Sequence, residues 1–118
     1  ITREHVNKGI LERFETLMNQ YFESDQAQVY GIPSVSYFAN ELHLSANYFG
    51  DLIKKETGLT AKDYIQNKTI DVAKNRVFDT EKTINEIAFE MGFKYPQHFT
   101  RLFKQRVGQT PNEYRSLN

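Results

Sequence analysis

Between Pro96 and Lys104, polar side chains recur at a spacing that puts them on one side of a helix: Gln97, Thr100, Arg101 and Lys104. Phe99, Leu102 and Phe103 fall on the opposite side. The outward types are those that hydrogen-bond to base edges and phosphates: Arg suits guanine, Gln suits adenine, and Thr suits either a base or a phosphate. A weaker version lies earlier in the chain, where Ala46, Asn47, Gly50, Asp51 and Lys54 oppose Phe49, Leu52 and Ile53. There Gly50 brings no side chain and costs a helix roughly 1 kcal/mol relative to Ala. Asp51 repels phosphate but can accept a bond from cytosine N4. Taken alone, either stripe is also what an ordinary solvated helix face looks like.

Other chemistries have less to work with. The three histidines, His5, His43 and His98, are far apart and form no metal-ligand array. His98 flanks the second polar stripe, where packing or a neighbouring phosphate suits it better than a metal. There is no cysteine, hence no disulfide framework or thiolate site. No glycine-rich phosphate loop occurs, and the carboxylates are scattered over charged faces. An enzyme active site is not expected, nor is any cofactor or metal.

The stripes need helices to carry them. Val6, Ile10, Phe14, Leu17, Met18, Tyr21 and Phe22 recur at three- and four-residue spacing and predict a helix over about Thr2–Glu23. Ser24–Pro33 is polar, with Gly31 and Pro33, and reads as loop. A helix capped by Ser34 runs to Leu42, a turn follows at His43–Ser45, and the next helix runs from Ala46 to Thr57, ended by Gly58. Thr60–Asp63 reads as a capping box with Asp in the acidic place, opening a longer helix to about Phe78 with Tyr64, Ile65, Val72, Ala73 and Val77 inward. Thr83–Glu86 opens a helix to Met91, Pro96 starts one that ends before Gly108, and Thr110–Glu113 opens the last, which continues to the C-terminus. The expected fold is all-α, with about seven helices.

These helices repeat. Val35, Phe38, Ala39, Leu42 and Leu44 correspond to Ile84, Ile87, Ala88, Met91 and Phe93 at an offset of 49. Phe49, Leu52, Ile53, Lys54, Gly58, Thr60 and Tyr64 correspond to Phe99, Leu102, Phe103, Lys104, Gly108, Thr110 and Tyr114 at an offset of 50, one extra residue falling near Lys94. A short helix, a tight turn and a second helix make a helix-turn-helix shape. Ala39 and Ala88 allow close helix approach. Gly92 in the turn suits a positive φ, a place His43 takes in the first copy.

The pattern Ile84-x-x-Ile87-Ala88-x-x-x-Gly92-Phe93, followed by Phe99-x-x-x-Phe103-Lys104-x-x-x-Gly108-x-Thr110-Pro111-x-x-Tyr114-Arg115, resembles the signature of the AraC/XylS family of transcription regulators. Leu44-Ser45-x-x-Tyr48-Phe49, with Lys54 and Gly58, is similar to that family's less regular first motif. The resemblance covers Ser34 to Arg115. It implies two helix-turn-helix subdomains joined by a long central helix: residues 1–60 with the N-terminal helix, a linker helix over 61–78, and 79–118. It implies recognition helices entering successive major-groove segments, about one turn (~34 Å) apart. The base-facing candidates are then Ala46, Asn47, Gly50 and Asp51 in the first motif, and Pro96, Gln97, Thr100 and Arg101 in the second. Lys54 and Lys104 lie a turn further on, suited to the DNA backbone or to solvent. Ser34, Ser36 and Thr83 open the first helices of the motifs, where their hydroxyls either reach phosphates or simply cap. Two departures stand out. Thr69 occupies a place where the family usually has Arg, and Tyr95 takes an N-cap place where Asp or Ser is common, with Pro96 behind it unable to hydrogen-bond to a base.

Charge is the awkward fact. The whole chain is neutral, whereas nucleic-acid binders are usually basic. The distribution is uneven: residues 83–118 carry five basic and three acidic side chains, residues 34–60 two and three. Two function classes follow: sequence-specific binding of double-stranded promoter or operator DNA, with RNA polymerase as a further partner, or a helical protein-interaction module that keeps helix-turn-helix architecture. No run is apolar enough to span a membrane and no signal-peptide pattern occurs, so the expected compartment is the cytoplasm. The chain begins at Ile1 without Met, and family members usually carry a sensing or receiver domain first. An effector or dimerisation domain is therefore expected upstream, with the first helix either packing on the first motif, the favoured role, or acting as a linker.

Overall fold

The computed structural model describes residues 2–117, and every regular element among them is helical. In order these are α1 Arg3–Glu23, α2 Gln26–Tyr30, α3 Val35–Glu41, α4 Ala46–Thr57, α5 Ala61–Arg76, α6 Ile84–Glu90, α7 Pro96–Val107 and α8 Pro111–Ser116. The sequence pattern predicts about seven. The additional helix is α2, inside the Ser24–Pro33 stretch that reads as loop. The Ser24 hydroxyl accepts a bond from the Gln26 N–H at 3.2 Å, and Gly31, at φ +91°, stops the helix. Five residues with only Ala27 buried carry no periodicity to read.

The repeat is reproduced element for element. α3 and α6 have seven residues each, and α4 and α7 have twelve. The turns match bond for bond. Leu44 N–H donates to the Ala39 carbonyl at 2.9 Å and Phe93 N–H to the Ala88 carbonyl at 3.0 Å. His43 and Gly92 hold the positive φ of each turn, +58° and +97°. Ser34, Ser45 and Thr60 each accept a bond from the N–H three residues on, as N-caps do. Thr83 with Glu86 and Thr110 with Glu113 form complete capping boxes. In the second, the Thr110 backbone N–H and then its hydroxyl hold the Glu113 carboxyl below the usual carboxylate range. The Thr60 box is only half made, because the Asp63 carboxylate turns to Arg106 at 3.3 Å.

Two apolar cores form. The first joins Phe38, Ala39 and Leu42 to Phe49, Leu52 and Ile53, with Ala61 and Ile65 of α5. The second joins Ile84, Ile87, Ala88, Met91 and Phe93 to Phe99 and Phe103, with Ile70, Ala73 and Val77 at the far end of α5. α1 enters both. Phe14 and Met18 lie in the first core, packed edge-on to Phe38 and Phe49 in the case of Phe14. Tyr21 and Phe22 lie in the second, beside Ala27 of α2. The expectation that α1 packs on the first motif therefore needs extending, since the helix is long enough to leave it. Its first turn also departs from the apolar pattern: Val6 is 46% exposed, whereas Asn7 is buried at 4%. In α5, Tyr64 and Val72 are only half-buried, and Thr69 and Ile70 take the inward places. The Thr69 hydroxyl bonds back to the Ile65 carbonyl at 2.8 Å, which satisfies it without a partner helix. Tyr64 donates to Glu15 of α1, and burial together with that bond pushes its phenol up to about 12. α5 ends at Arg76 with Val77 as C-cap, slightly short of Phe78. α8 ends at Ser116 with Leu117 as C-cap, short of the predicted run to the C-terminus, of which residue 118 lies outside the described residues.

Three arginines tie distant segments together. The Arg106 guanidinium on α7 donates to Asp63, Gln66 and Asn67 of α5. Arg76 donates to the Phe22 carbonyl at the end of α1. Arg115 gathers the carbonyls of Val77 (2.6 Å), Asp79 (3.2 Å) and Lys82 (2.9 Å), where α5 ends and the chain turns towards α6. The closest approach involves no side chain. A Cβ placed on Gly92 would lie 2.7 Å from the Gly31 carbonyl carbon, 2.8 Å from the Ile32 nitrogen and 2.9 Å from the Ala27 oxygen.

Two stability measurements follow. Gly58 also has positive φ, +79°, but open space around its Cβ position. Gly58→Ala is expected to cost about 1 kcal/mol from backbone strain alone. Gly92→Ala adds the collision and is expected to cost about 3 kcal/mol or more. Urea unfolding of the two variants compares them directly, and equal losses would show that the crowding at Gly92 is harmless. Arg106→Ala strips the half-exposed Asp63 pair, worth little by itself, together with two bonds to uncharged amide oxygens. The expected loss is about 1–3 kcal/mol in the same assay, with a change under half a kilocalorie (~0.5 kcal/mol) counting against a clamp.

Candidate nucleic-acid interface

Each motif presents its second helix in the same way. Phe49, Leu52 and Ile53 bury one side of α4, and Phe99 and Phe103 bury the same side of α7, with Leu102 half-buried. What is left outward follows from the helical period. On α4 the outward residues are Ala46, Asn47, Asp51 and Lys54, all exposed, with Gly50 half-buried between them. On α7 they are Gln97, Arg101 and Lys104, exposed, with Pro96 and Thr100 half-buried. The sequence-predicted sets thus fall on two matching faces. Ser34, Ser36 and Thr83 are exposed at the openings of α3 and α6. The hydroxyls of Ser34 and Thr83 are already engaged as caps, with Tyr37 N–H at 3.0 Å and Glu86 N–H at 3.0 Å.

The two faces differ in how free their side chains are. Lys54 curls back to the end of its own helix and donates to the Gly58 carbonyl at 3.0 Å. Such a bond complements the negative end of the helix and draws the ammonium away from the outward stripe. Among the described residues, Gln97, Thr100, Arg101 and Lys104 make no side-chain hydrogen bond. α7 also has a barer start. Ser45 caps α4 by accepting from Tyr48 N–H at 3.1 Å, whereas Tyr95 supplies no side-chain cap to α7 and Pro96 stands at its first position. Tyr95 instead packs edge-on against His98, with the Lys94 ammonium 5.5 Å from its ring centre. The first turn of α7 thus has no side-chain cap: Pro96 brings no N–H there, and the His98 N–H is met by the Tyr95 carbonyl at 3.0 Å.

Sequence reasoning misses the residues that aim α7. Arg106 lies on the flank of the helix, and an arginine there looks like any solvated one until its three partners on α5 are known. Arg115 carries a faint signal, since it closes the repeated pattern at the C-terminus, but nothing in that pattern says that it collects backbone carbonyls. Tyr114, beside it, packs edge-on against Phe103 at 5.5 Å and tilted against Phe78 at 5.3 Å, and so backs the buried side of α7. No group of three His, Asp or Glu residues among the described residues is placed to hold a metal ion. No described helix is long and apolar enough to cross a membrane.

A family model described as a helix-turn-helix domain matches residues 38–116. The chain is 29% identical to the uncharacterized HTH-type transcriptional regulator YtdP of Bacillus subtilis, over 92% of this chain and 13% of that protein. It is 34% identical to the melibiose operon regulatory protein of Escherichia coli K12, over 68% of this chain and 26% of that one. It therefore spans a minor part of these relatives' length. In structure it is similar to the C-terminal domain of the two-component response regulator yesN from Fusobacterium nucleatum, with a TM-score of 0.75, 28% identity, and coverage of 88% of this chain and 95% of that one. With the doubled motif, the paired outward faces and these likenesses together, the chain belongs to the AraC/XylS family, as an AraC-type helix-turn-helix DNA-binding domain of transcription regulators.

Proposed function

We propose that this domain reads a specific duplex by placing α4 and α7 in successive major-groove segments, with α7 as the anchor and α4 as the tuner. The observation that carries this reading is the α7 face. Arg101, Gln97 and Thr100 project from a helix whose other side is locked by Phe99, Phe103 and Arg106, and they are not spent on bonds within the protein. Side chains held this way lose little further backbone freedom on binding, so their base contacts convert efficiently into discrimination. Lys104 serves the phosphates beside the groove.

α4 contributes differently. Gly50 lets a base pair approach the backbone but reads nothing. Asn47 can bond to adenine, and Asp51 accepts only from a donor such as cytosine N4 while repelling nearby phosphates. With Lys54 turned to Gly58, the first motif adds selectivity more than affinity. Ser34, Ser36 and Thr83 sit where backbone phosphates flank the two grooves. The reading carries with it a cytoplasmic, non-enzymatic regulator that works at promoters with RNA polymerase and takes its signal from an upstream effector or dimerisation domain. The alternative, a protein-interaction module, draws on the neutral net charge. The basic excess of residues 83–118, of which Lys94, Arg101 and Lys104 are exposed on or beside α7, favours DNA.

Selection from a random duplex library at low salt tests the assignment, and failure to enrich any sequence removes it. For an enriched duplex, affinity is expected to fall steeply and log-linearly with salt. Arg101→Ala is expected to cost about 1–3 kcal/mol and to relax preference at a single base position. A loss spread evenly over all sequences would assign Arg101 to a phosphate instead.

A further inference from the structure

α1 and α5 both run from one core into the other and join the two motifs through packed side chains. A contact of a different kind, made by backbone alone, lies beside them. The link from α2 to α3 crosses the turn of the second motif, and there Gly31 and Ile32 meet Gly92 backbone to backbone, closer than any Cβ could tolerate. Gly31 belongs to the approach to α3, and Gly92 to the turn that launches α7. The link is itself held: the Tyr21 hydroxyl donates to the Gly31 carbonyl at 2.7 Å, and Ala27 is buried in the second core. A backbone contact has no rotamers with which to adjust, so its separation is set more tightly than one made by long side chains.

We propose that the Gly31–Gly92 contact is a spacing gauge: it fixes the separation and angle of α4 and α7, and so determines which half-site spacing in DNA the domain accepts. The inference rests on the two-helix DNA reading above. Discrimination between spacings then comes from the protein's refusal to flex, in addition to any base contact. Without the contact, both helices would still read their half-sites while the distance between them became tolerant.

The test uses duplexes with two randomised boxes separated by spacers of graded length, selected by the wild-type chain and by Gly92→Ala, Tyr21→Phe and Gly108→Ala. Gly108 shares the positive φ, +90°, but has nothing near its Cβ position, so it controls for backbone strain. Wild type and Gly108→Ala are expected to enrich one spacer about tenfold over its neighbours. Gly92→Ala is expected to enrich the same boxes with several neighbouring spacers nearly equal, and Tyr21→Phe to broaden the profile less. If Gly92→Ala does not fold, as judged by circular dichroism, Tyr21→Phe decides. The proposal is overturned if the variants keep the wild-type spacer profile, or if wild type enriches boxes with no spacer preference. Enrichment of no box by wild type would instead bring down the DNA reading itself.

Discussion

A helix-turn-helix motif is too small to bury its own apolar surface, and that constraint shapes the whole chain. Each motif here offers two helices of seven and twelve residues, with a handful of apolar side chains between them. Units that small are marginal unless something else covers the open side. α1 and α5 provide the cover, and they do it for both motifs at once. Phe14 and Met18 close one core and Tyr21 and Phe22 the other, while Ile65 and Ile70 divide α5 in the same way. Each fully buried aromatic contributes about 1.5–3 kcal/mol, so neither motif can give up its share of α1 lightly. Stability and geometry are therefore coupled, because the helices that complete the cores also fix the motifs relative to each other.

On that scaffold the repeat becomes unequal. Duplication supplies two copies of one backbone, down to the paired turn bonds of Leu44 and Phe93. The outward residues are nearly independent of the backbone, and there the copies diverge. α7 presents an arginine, a glutamine and a threonine, is braced by Arg106, and begins without a side-chain cap. α4 presents a glycine and an aspartate, and its lysine folds back on its own terminus. Two equal readers would ask for two similar half-sites. In the function proposed above, one firm and one selective reader would ask for an asymmetric site, with affinity weighted to one end.

How much of this could be read from residues alone depends on the range of the interaction involved. The helices of both motifs were legible because their apolar period, N-cap residues and glycine stops all lie within a few positions of one another. The outward faces were legible for the same reason, as the complement of Phe49, Ile53, Phe99 and Phe103. α2 was not, since five residues around Ala27 hold too short a pattern. The division of α1 was not, because its apolar stripe is continuous and says nothing about a change of partner between Met18 and Tyr21. Asp63 looked like a cap and serves Arg106 instead, a pairing between distant segments that no local spacing records. Gly92 was legible as a turn residue, but its close approach to Gly31 was not, as a missing side chain leaves no mark of what it makes room for.

The central claim is that α4 and α7 belong to one cooperative body. Native-state hydrogen exchange tests it through the amides of Phe49 and Ile53 in α4 and of Phe99 and Phe103 in α7. If the shared cores bind the motifs together, all four exchange through the same global opening, with one free energy and one denaturant dependence. If the α7 amides opened separately, at a free energy well below that of the α4 amides, the motifs would be independent units and the account would fail.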